Sequence, residues 1–258
     1  MPPPEVSTEA VVSTAPDPGA PADHLGPVDE GNDAVDTDDT LDLRLPDELV
    51  ALIAEESLTS ADGAATADDG LLDQLAGWGP VPTSAGVFQL VPARTERDLP
   101  LISRWMNDPA VAAFWELEGS VSLTAAHLDA QLAGDGRSVP CLGVLGGVPM
   151  SYFEIYRADL DPLARHYPAR PHDTGIHLLI GAVGDRGRGL GAVLLRAVAD
   201  LVLDRRPACS RVVAEPDLRN TASISAFLNA GFRFSAELEL PDKRAALMMR
   251  DRALRGLI

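Results

Sequence analysis

The hexapeptide Arg186-Gly187-Arg188-Gly189-Leu190-Gly191 constrains this chain more than any other stretch, because it joins a strand pattern to a helix pattern. The strand pattern is Gly175-Ile176-His177-Leu178-Leu179-Ile180, closed by Val183 and Gly184. Beyond the turn, Leu190, Val193, Leu194, Ala197, Val198, Leu201 and Val202 recur at helical spacing. A glycine-rich turn that feeds a helix leaves several N–H groups pointing outward with no intrahelical partner. The helix dipole adds partial positive charge at that end, so the turn suits an anion, and Arg186 and Arg188 strengthen the attraction. These features predict a phosphate-bearing ligand.

Three kinds of phosphate turn compete for this segment. A dinucleotide fingerprint needs G-x-G-x-x-G, and Gly187, Gly189 and Gly191 lack the final spacing. A P-loop needs Gly-Lys followed by Ser or Thr, and no lysine stands here. What remains is Arg-x-x-Gly-x-Gly at a strand-to-helix turn. The plain structural alternative is a tight turn whose glycines only permit positive φ.

Around this βαβ passage the rest of the chain reads as a mixture of helices and strands. Val87 to Val91 predicts a strand, followed by a helix capped at Asp98 that carries Leu101, Ile102, Trp105 and Met106. Asn107-Asp108-Pro109 stops it, a second helix runs through Val111, Phe114 and Trp115, and Thr124 opens a third with Leu128 and Leu132. Pro140 to Leu145 and Val148 to Tyr156 predict a hairpin about Gly146-Gly147. After the long helix come a strand at Arg211 to Glu215, a helix from Asn220 to Ala230 ending at Gly231, and late strands at Phe232–Phe234 and Arg244–Met249. This order differs from the regular alternation of a doubly wound sheet.

Charge divides the chain in two. Residues 1–80 hold 19 acidic side chains and one basic one, Arg44, which equals the net charge of -18 for the whole chain. Residues 81–258 hold 20 of each sign. Residues 1–40 carry few large apolar groups and are expected to be a disordered acidic leader. Residues 41–82 are expected to be a linker with two short amphipathic helices, about Leu45, Leu49, Leu52 and Ile53 and about Leu71, Leu72, Leu75 and Trp78. The compact domain is expected over 83–258. No basic patch suggests nucleic acid, no apolar run reaches the ~18 residues of a membrane span, and no signal peptide pattern opens the chain, so the cytoplasm is the expected location. Cys141 and Cys209 are far apart and form no metal-ligand pattern, His24 lies in the leader, and His127, His166 and His172 lack metal-ligand spacing and read as surface residues, so no metal is expected.

The glycine turn does not stand alone. Glu215-Pro216-Asp217-Leu218-Arg219-Asn220 follows about 30 residues on, then Ala226-Phe227-Leu228-Asn229-Ala230-Gly231-Phe232. Together these segments resemble the GNAT acyltransferase superfamily, in which the turn binds the pyrophosphate of acyl-coenzyme A. Trp105-Met106-Asn107-Asp108-Pro109, Phe114-Trp115-Glu116, Tyr152 to Tyr156 and Asp173-Thr174-Gly175-Ile176-His177 resemble its siderophore branch, the mycobactin lysine N-acyltransferases and aerobactin-type N6-hydroxylysine acetyltransferases. The resemblance covers roughly residues 75–250.

The resemblance implies an α+β fold: a twisted, mostly antiparallel sheet with one splayed parallel pair and flanking helices. It implies acetyl-CoA or a longer acyl-CoA as co-substrate, or an acyl carrier protein as donor, and a small lysine or hydroxylysine derivative as acceptor. Carried over by position, Arg186 to Gly191 and Asn220 would bind the donor. His177 would face the substrate, with Trp105, Trp115, Glu154 and Tyr156 around it. Glu154 reads equally well as solvent-facing. Glu215 takes the place of the proposed carboxylate base, which is Asp in the mycobactin enzymes, and Asp217 is a rival for that role. Many GNAT proteins use a tyrosine acid near Phe227, so the proton for the thiolate would come from water or Tyr156. Other functions remain open on this reading: an N-acetyltransferase for another amine, or a non-catalytic acyl-CoA-binding module.

Overall fold

The computed structural model describes Leu72 and residues 74–257. The acidic leader and the first amphipathic pattern, Leu45 to Ile53, lie outside the described residues. Eight strands make one sheet among the described residues: β1 Val81–Thr83, β2 Gly86–Pro92, β3 Ser138–Leu145, β4 Val148–Arg157, β5 Thr174–Ile180, β6 Arg211–Ala214, β7 Arg233–Glu239 and β8 Arg244–Asp251. Their spatial order is β1-β2-β3-β4-β5-β6-β8-β7. Every neighbouring pair is antiparallel except β5 and β6. Seven of these strands lie where alternation and turn residues predict them. The three residues of β1 are too few to carry a pattern.

Among the described residues five α-helices cover the sheet: α1 Thr95–Met106, α2 Pro109–Trp115, α3 Val121–Leu132, α4 Leu190–Arg205 and α5 Thr221–Asn229. Side chains alternate across a strand, so β4 feeds two cores at once. Phe153 and Ile155 join Leu194, Val198 and Val202 of α4 and Phe227 of α5 on one face. On the other face, Tyr152 joins Ile102, Trp105 and Met106 of α1 and Leu128 of α3. Tyr156 belongs to a third cluster, with Leu163 and Tyr167 of the 158–173 connection and Val213, Leu247 and Met249 of the sheet. A cleft therefore opens on this face between α1–α3 and the connection, and Glu154 stands in it between the two tyrosines.

Leu72, Leu75 and Trp78 are buried in the first cluster, with the short 3₁₀ turn Leu75–Gly77 in place of the expected second helix. Helix α1 starts at Thr95, three residues before the cap expected at Asp98. Asp98 instead reaches back to accept the Arg94 N–H at 2.9 Å, satisfying a donor at the helix start from inside it. Helix α3 likewise starts before Thr124, at Val121, preceded by Ser120.

The Asp173-x-Gly175-x-His177 motif gains a physical account from the period of two along β5. Asp173, just before the strand, is fully buried and takes Nε and Nη2 of buried Arg211 at 2.9 and 2.7 Å. Gly175 lies under the Tyr156 ring, where an added Cβ would come within 2.0 Å of ring atoms. His177 is the third residue on that face. Gly175→Ala is expected to displace the ring and destabilise the fold by about 1–3 kcal/mol. A lowered melting temperature together with lost activity checks this; unchanged melting would show that the ring is not pinned.

Candidate active site

Strand register assembles the site. Glu154 on β4 is the antiparallel partner of His177 on β5. On the other side, Gly175 pairs with Val213 of β6, and two residues further along each parallel strand stand His177 and Glu215. Three neighbouring strands thus present Glu154, His177 and Glu215 side by side on one face. Beyond Gly175 the strands part: β6 ends at Ala214 while β5 continues to Ile180, leaving the β5 edge there unpaired by β6.

His177 is clamped by carboxylates at both ring nitrogens. Its Nε2 lies 2.5 Å from Glu215 Oε1 and its Nδ1 lies 3.0 Å from Glu154 Oε2. An ionised carboxylate only accepts, so both nitrogens carry protons and the ring is an imidazolium. Burial alone would lower the His177 pKa, but the Glu215 charge and the hydrogen bonds that the ring donates to both carboxylates raise it well above the ordinary value. Burial pushes Glu215 the other way, yet the His177 charge and hydrogen bond, with Lys243 behind them, hold it below the usual carboxylate range. Tyr156 donates to Glu215 Oε2 at 2.7 Å, and burial beside Glu215 raises its own pKa well above normal, so it remains a donor.

The sequence-predicted residues divide. Trp115 stacks edge-on with Tyr152 at 5.5 Å and His177 at 6.0 Å. Asp217 lines the same hollow as Glu215, but both its oxygens accept from Arg219 at 2.6–3.0 Å. Trp105 is buried over Gly181 and lines none of the hollows at the site. Tyr156 lines only a third hollow, of about 210 Å³, on the side of Asp161 and Arg137. Lys243 is a site residue that sequence reasoning missed: its Nζ lies 3.5 Å from Glu215 Oε1. It is the only lysine in the chain, the one signal that could have drawn attention to it.

A groove of about 500 Å³ runs from Leu178–Ile180 on the open edge of β5, past the glycine turn, to α5. It meets a hollow of about 300 Å³ around His177 and Glu215, and the two share Phe114, Trp115, Leu178, Asn220 and Ser223. Gly187 and Gly189 have φ +70° and +77°, and an added Cβ at either would have no atom within 4 Å. Gly189 is the N-cap of α4 with no side-chain cap, so the first N–H groups of a 16-residue helix face the groove without one. Arg186 lines the groove, but its guanidinium is engaged within the protein. Its donors go to the carbonyls of Ile180 at 3.0 Å and Gly181 at 2.7 Å and to Asp108 at 2.7 Å, tying the strand end to the N-cap of α2. Arg188 is exposed and 3.3 Å from Asp185. Asn220 caps α5, accepting the Ser223 N–H at 3.0 Å, and lines both hollows.

A family model described as an acetyltransferase (GNAT) domain matches residues 94–240. The chain belongs to the GNAT acyltransferase family. It is 38% identical over 172 residues to the lysine N-acyltransferase MbtK of Mycolicibacterium paratuberculosis, covering 67% of this chain and 77% of that protein. It is 37% identical over 155 residues to the N(6)-hydroxylysine O-acetyltransferase of Escherichia coli, covering 60% of this chain and about half (49%) of that protein. Among solved structures, an uncharacterized protein of Bacillus halodurans superposes with TM-score 0.65 at 32% identity, over 69% of this chain and 92% of that one. The α+β architecture with its splayed parallel pair is thus the GNAT fold.

Among the described residues no group of three or more His, Cys, Asp or Glu is arranged to hold a metal ion. No helix among them is long and apolar enough to cross a membrane.

Proposed function

We propose that this chain is an acyl-CoA-dependent N-acyltransferase acting in the cytoplasm on the side-chain amine or hydroxylamine of lysine or a lysine-derived precursor in siderophore biosynthesis. The mycobacterial and E. coli relatives, named for lysine and N6-hydroxylysine, support this acceptor class. The carrying observation is continuity. One groove leads from the uncapped start of α4, along the open edge of β5, to an ionised carboxylate beside His177.

Coenzyme A fits this groove, and when acylated it supplies an activated thioester carbonyl. The amides of the turn and of the first α4 residues would hold its diphosphate. This cradle favours coenzyme A over a carrier-protein donor, whose prosthetic arm carries one phosphate. Main-chain groups on the open β5 edge would hold the pantetheine arm as an added strand would be held. Trp115, Phe114 and Leu178 exclude water at the junction of the two hollows.

As the acceptor nitrogen bonds the carbonyl carbon, Glu215 takes the proton it sheds; the C–S bond then breaks, and the coenzyme A thiolate leaves and takes a proton from water. The lowered pKa of Glu215 keeps it ionised and able to accept at neutral pH. Deprotonating a free lysine ammonium of pKa about 10.4 at pH 7 costs about 4–5 kcal/mol, so a lysine acceptor must overcome more than a hydroxylamine. His177 keeps Glu215 charged and oriented, and Tyr156 and Lys243 fix the carboxylate from its other sides. Asp217, committed to Arg219, is the weaker candidate for base. Positioning supplies a large part of the acceleration.

Incubation with acetyl-CoA and either lysine or N6-hydroxylysine, read by mass spectrometry, tests the proposal. The expected product is the mono-acetylated acceptor with the hydroxylamine favoured. Coenzyme A binding without any acylated acceptor would point to a non-catalytic binding module.

A further inference from the structure

Cross-strand register brings Glu154 next to His177 but does not orient it, because a glutamate keeps three rotatable side-chain bonds. The orientation comes from α3. His127 Nε2 lies 2.6 Å from Glu154 Oε1, and Gln131 Nε2 donates to the same oxygen at 2.7 Å. Tyr152 adds a third donor to it at 3.0 Å. His127 and Gln131 are one helical turn apart and so share a face of α3. Gln131 is itself held: its Oε1 accepts from Ser138 Oγ at 2.7 Å, which turns the amide nitrogen toward Glu154. Gln131 Nε2 also lies 2.9 Å from His127 Nε2, so it is the tautomer with a proton on that nitrogen that engages Oε1 with three donors and leaves Oε2 for His177 Nδ1.

We propose that His127 and Gln131 are positioning residues, which fix Glu154 so that its second oxygen captures His177 Nδ1 and presents Nε2 to Glu215. They act through Glu154, and neither needs to touch the acyl donor. The inference rests on the acyl-transfer reading for what His177 does, but not for how its ring is held. A purely structural alternative exists, since a buried carboxylate needs donors whatever it does. The two roles differ in what they do to His177.

Several charged or titratable groups face this ring and its partners. They are Glu154 and Tyr156 from β4, Glu215 after β6, Asp161 from the connection and Lys243 from the β7–β8 turn, with His127 and Tyr152 on Glu154. Of the groups that touch the His177 ring, only Glu154 loses partners when His127 and Gln131 are changed; Tyr152 and Ser138 lose their hydrogen bonds with Gln131. Removing those donors frees Glu154 to rotate, weakens its hold on Nδ1 and lets His177 lose its proton more easily.

The test combines NMR titration of the His177 ring nitrogens with the pH profile of kcat/KM for N6-hydroxylysine. In the double variant His127→Phe, Gln131→Leu, deprotonation of His177 is expected to move to lower pH by about one unit or more. The alkaline limb of kcat/KM should move with it, while KM for acetyl-CoA stays unchanged. His127→Gln keeps a donor near Glu154 and is expected to titrate close to the unaltered protein. If the double variant does not fold, Gln131→Met, which keeps the volume and removes one donor, should give a smaller shift in the same direction. A folded variant whose His177 titrates as before overturns the inference. A protein with no transferase activity at all would sink the function proposed above, and the NMR titration would still decide this point.

Discussion

Glu215→Gln lowers kcat/KM by about 10²–10⁴-fold at neutral pH, the range that a lost general base removes. The substitution keeps the volume and an oxygen for the Tyr156 hydroxyl, so packing is preserved while the charge is lost. Lysine should suffer more than N6-hydroxylysine, because its ammonium needs more help to shed a proton. Affinity for coenzyme A should barely change, since Glu215 is remote from the glycine turn. The pH dependence follows from the signs of the shifts. Glu215 has a lowered pKa, so the ion pair is complete above the ordinary carboxylate value and fails only as pH falls through the lowered one. His177 has a raised pKa, so its proton is fully present below about 6.5 and is lost only as pH rises through the raised value. With a hydroxylamine acceptor the alkaline limb of kcat/KM should therefore lie well above the ordinary imidazole range. In Glu215→Gln it should move downward. A limb near 6.5 in the unaltered protein would mean that His177 is not held between two carboxylates.

Gly189→Glu is expected to weaken coenzyme A binding severely. Two effects add. The residue sits at φ +77°, where an L side chain costs about 1–2 kcal/mol. The open space beside it, which the diphosphate would occupy, would then hold a carboxylate on the same amides. Together they amount to about 3 kcal/mol or more, roughly 100-fold in Kd. Helix α4 should still form, because Leu194, Leu195, Val198 and Val202 remain buried. Circular dichroism checks the helix and calorimetry checks the affinity; unchanged affinity would remove the turn from the binding site.

The fold was largely legible in the sequence and the site only partly so, for one physical reason. Strand–turn–helix order is local: alternation, glycines and helical spacing lie within a few residues of each other, as at Gly175–Leu190. Register is not local. Nothing in the sequence states that Glu154 pairs with His177 across the 158–173 connection, or that a helical crossover sets Glu215 beside the same ring. Arginine beside a glycine turn predicts phosphate contact, yet the Arg186 guanidinium is taken up by two carbonyls at the strand end and by partly buried Asp108. Trp105 sits in a motif with aromatic neighbours, but Gly181 beneath it makes room for its ring in the core. His127 reads as a surface residue because the short apolar pattern of α3 does not reveal which side meets the sheet. In the structure it reaches Glu154 at 2.6 Å. Lys243 shows the same limit, since only the β7–β8 turn brings it to Glu215.

The central claim is that the uncapped start of α4 and the open edge of β5 hold an acyl-CoA with its thioester beside Glu215. A crystal structure with coenzyme A tests it most directly. The account predicts diphosphate oxygens within hydrogen-bond distance of the amides at residues 187–192, and the sulfur at the junction lined by Leu178, Asn220 and Ser223. A diphosphate bound elsewhere, or a sulfur on the far side of β5 from His177 and Glu215, would contradict it.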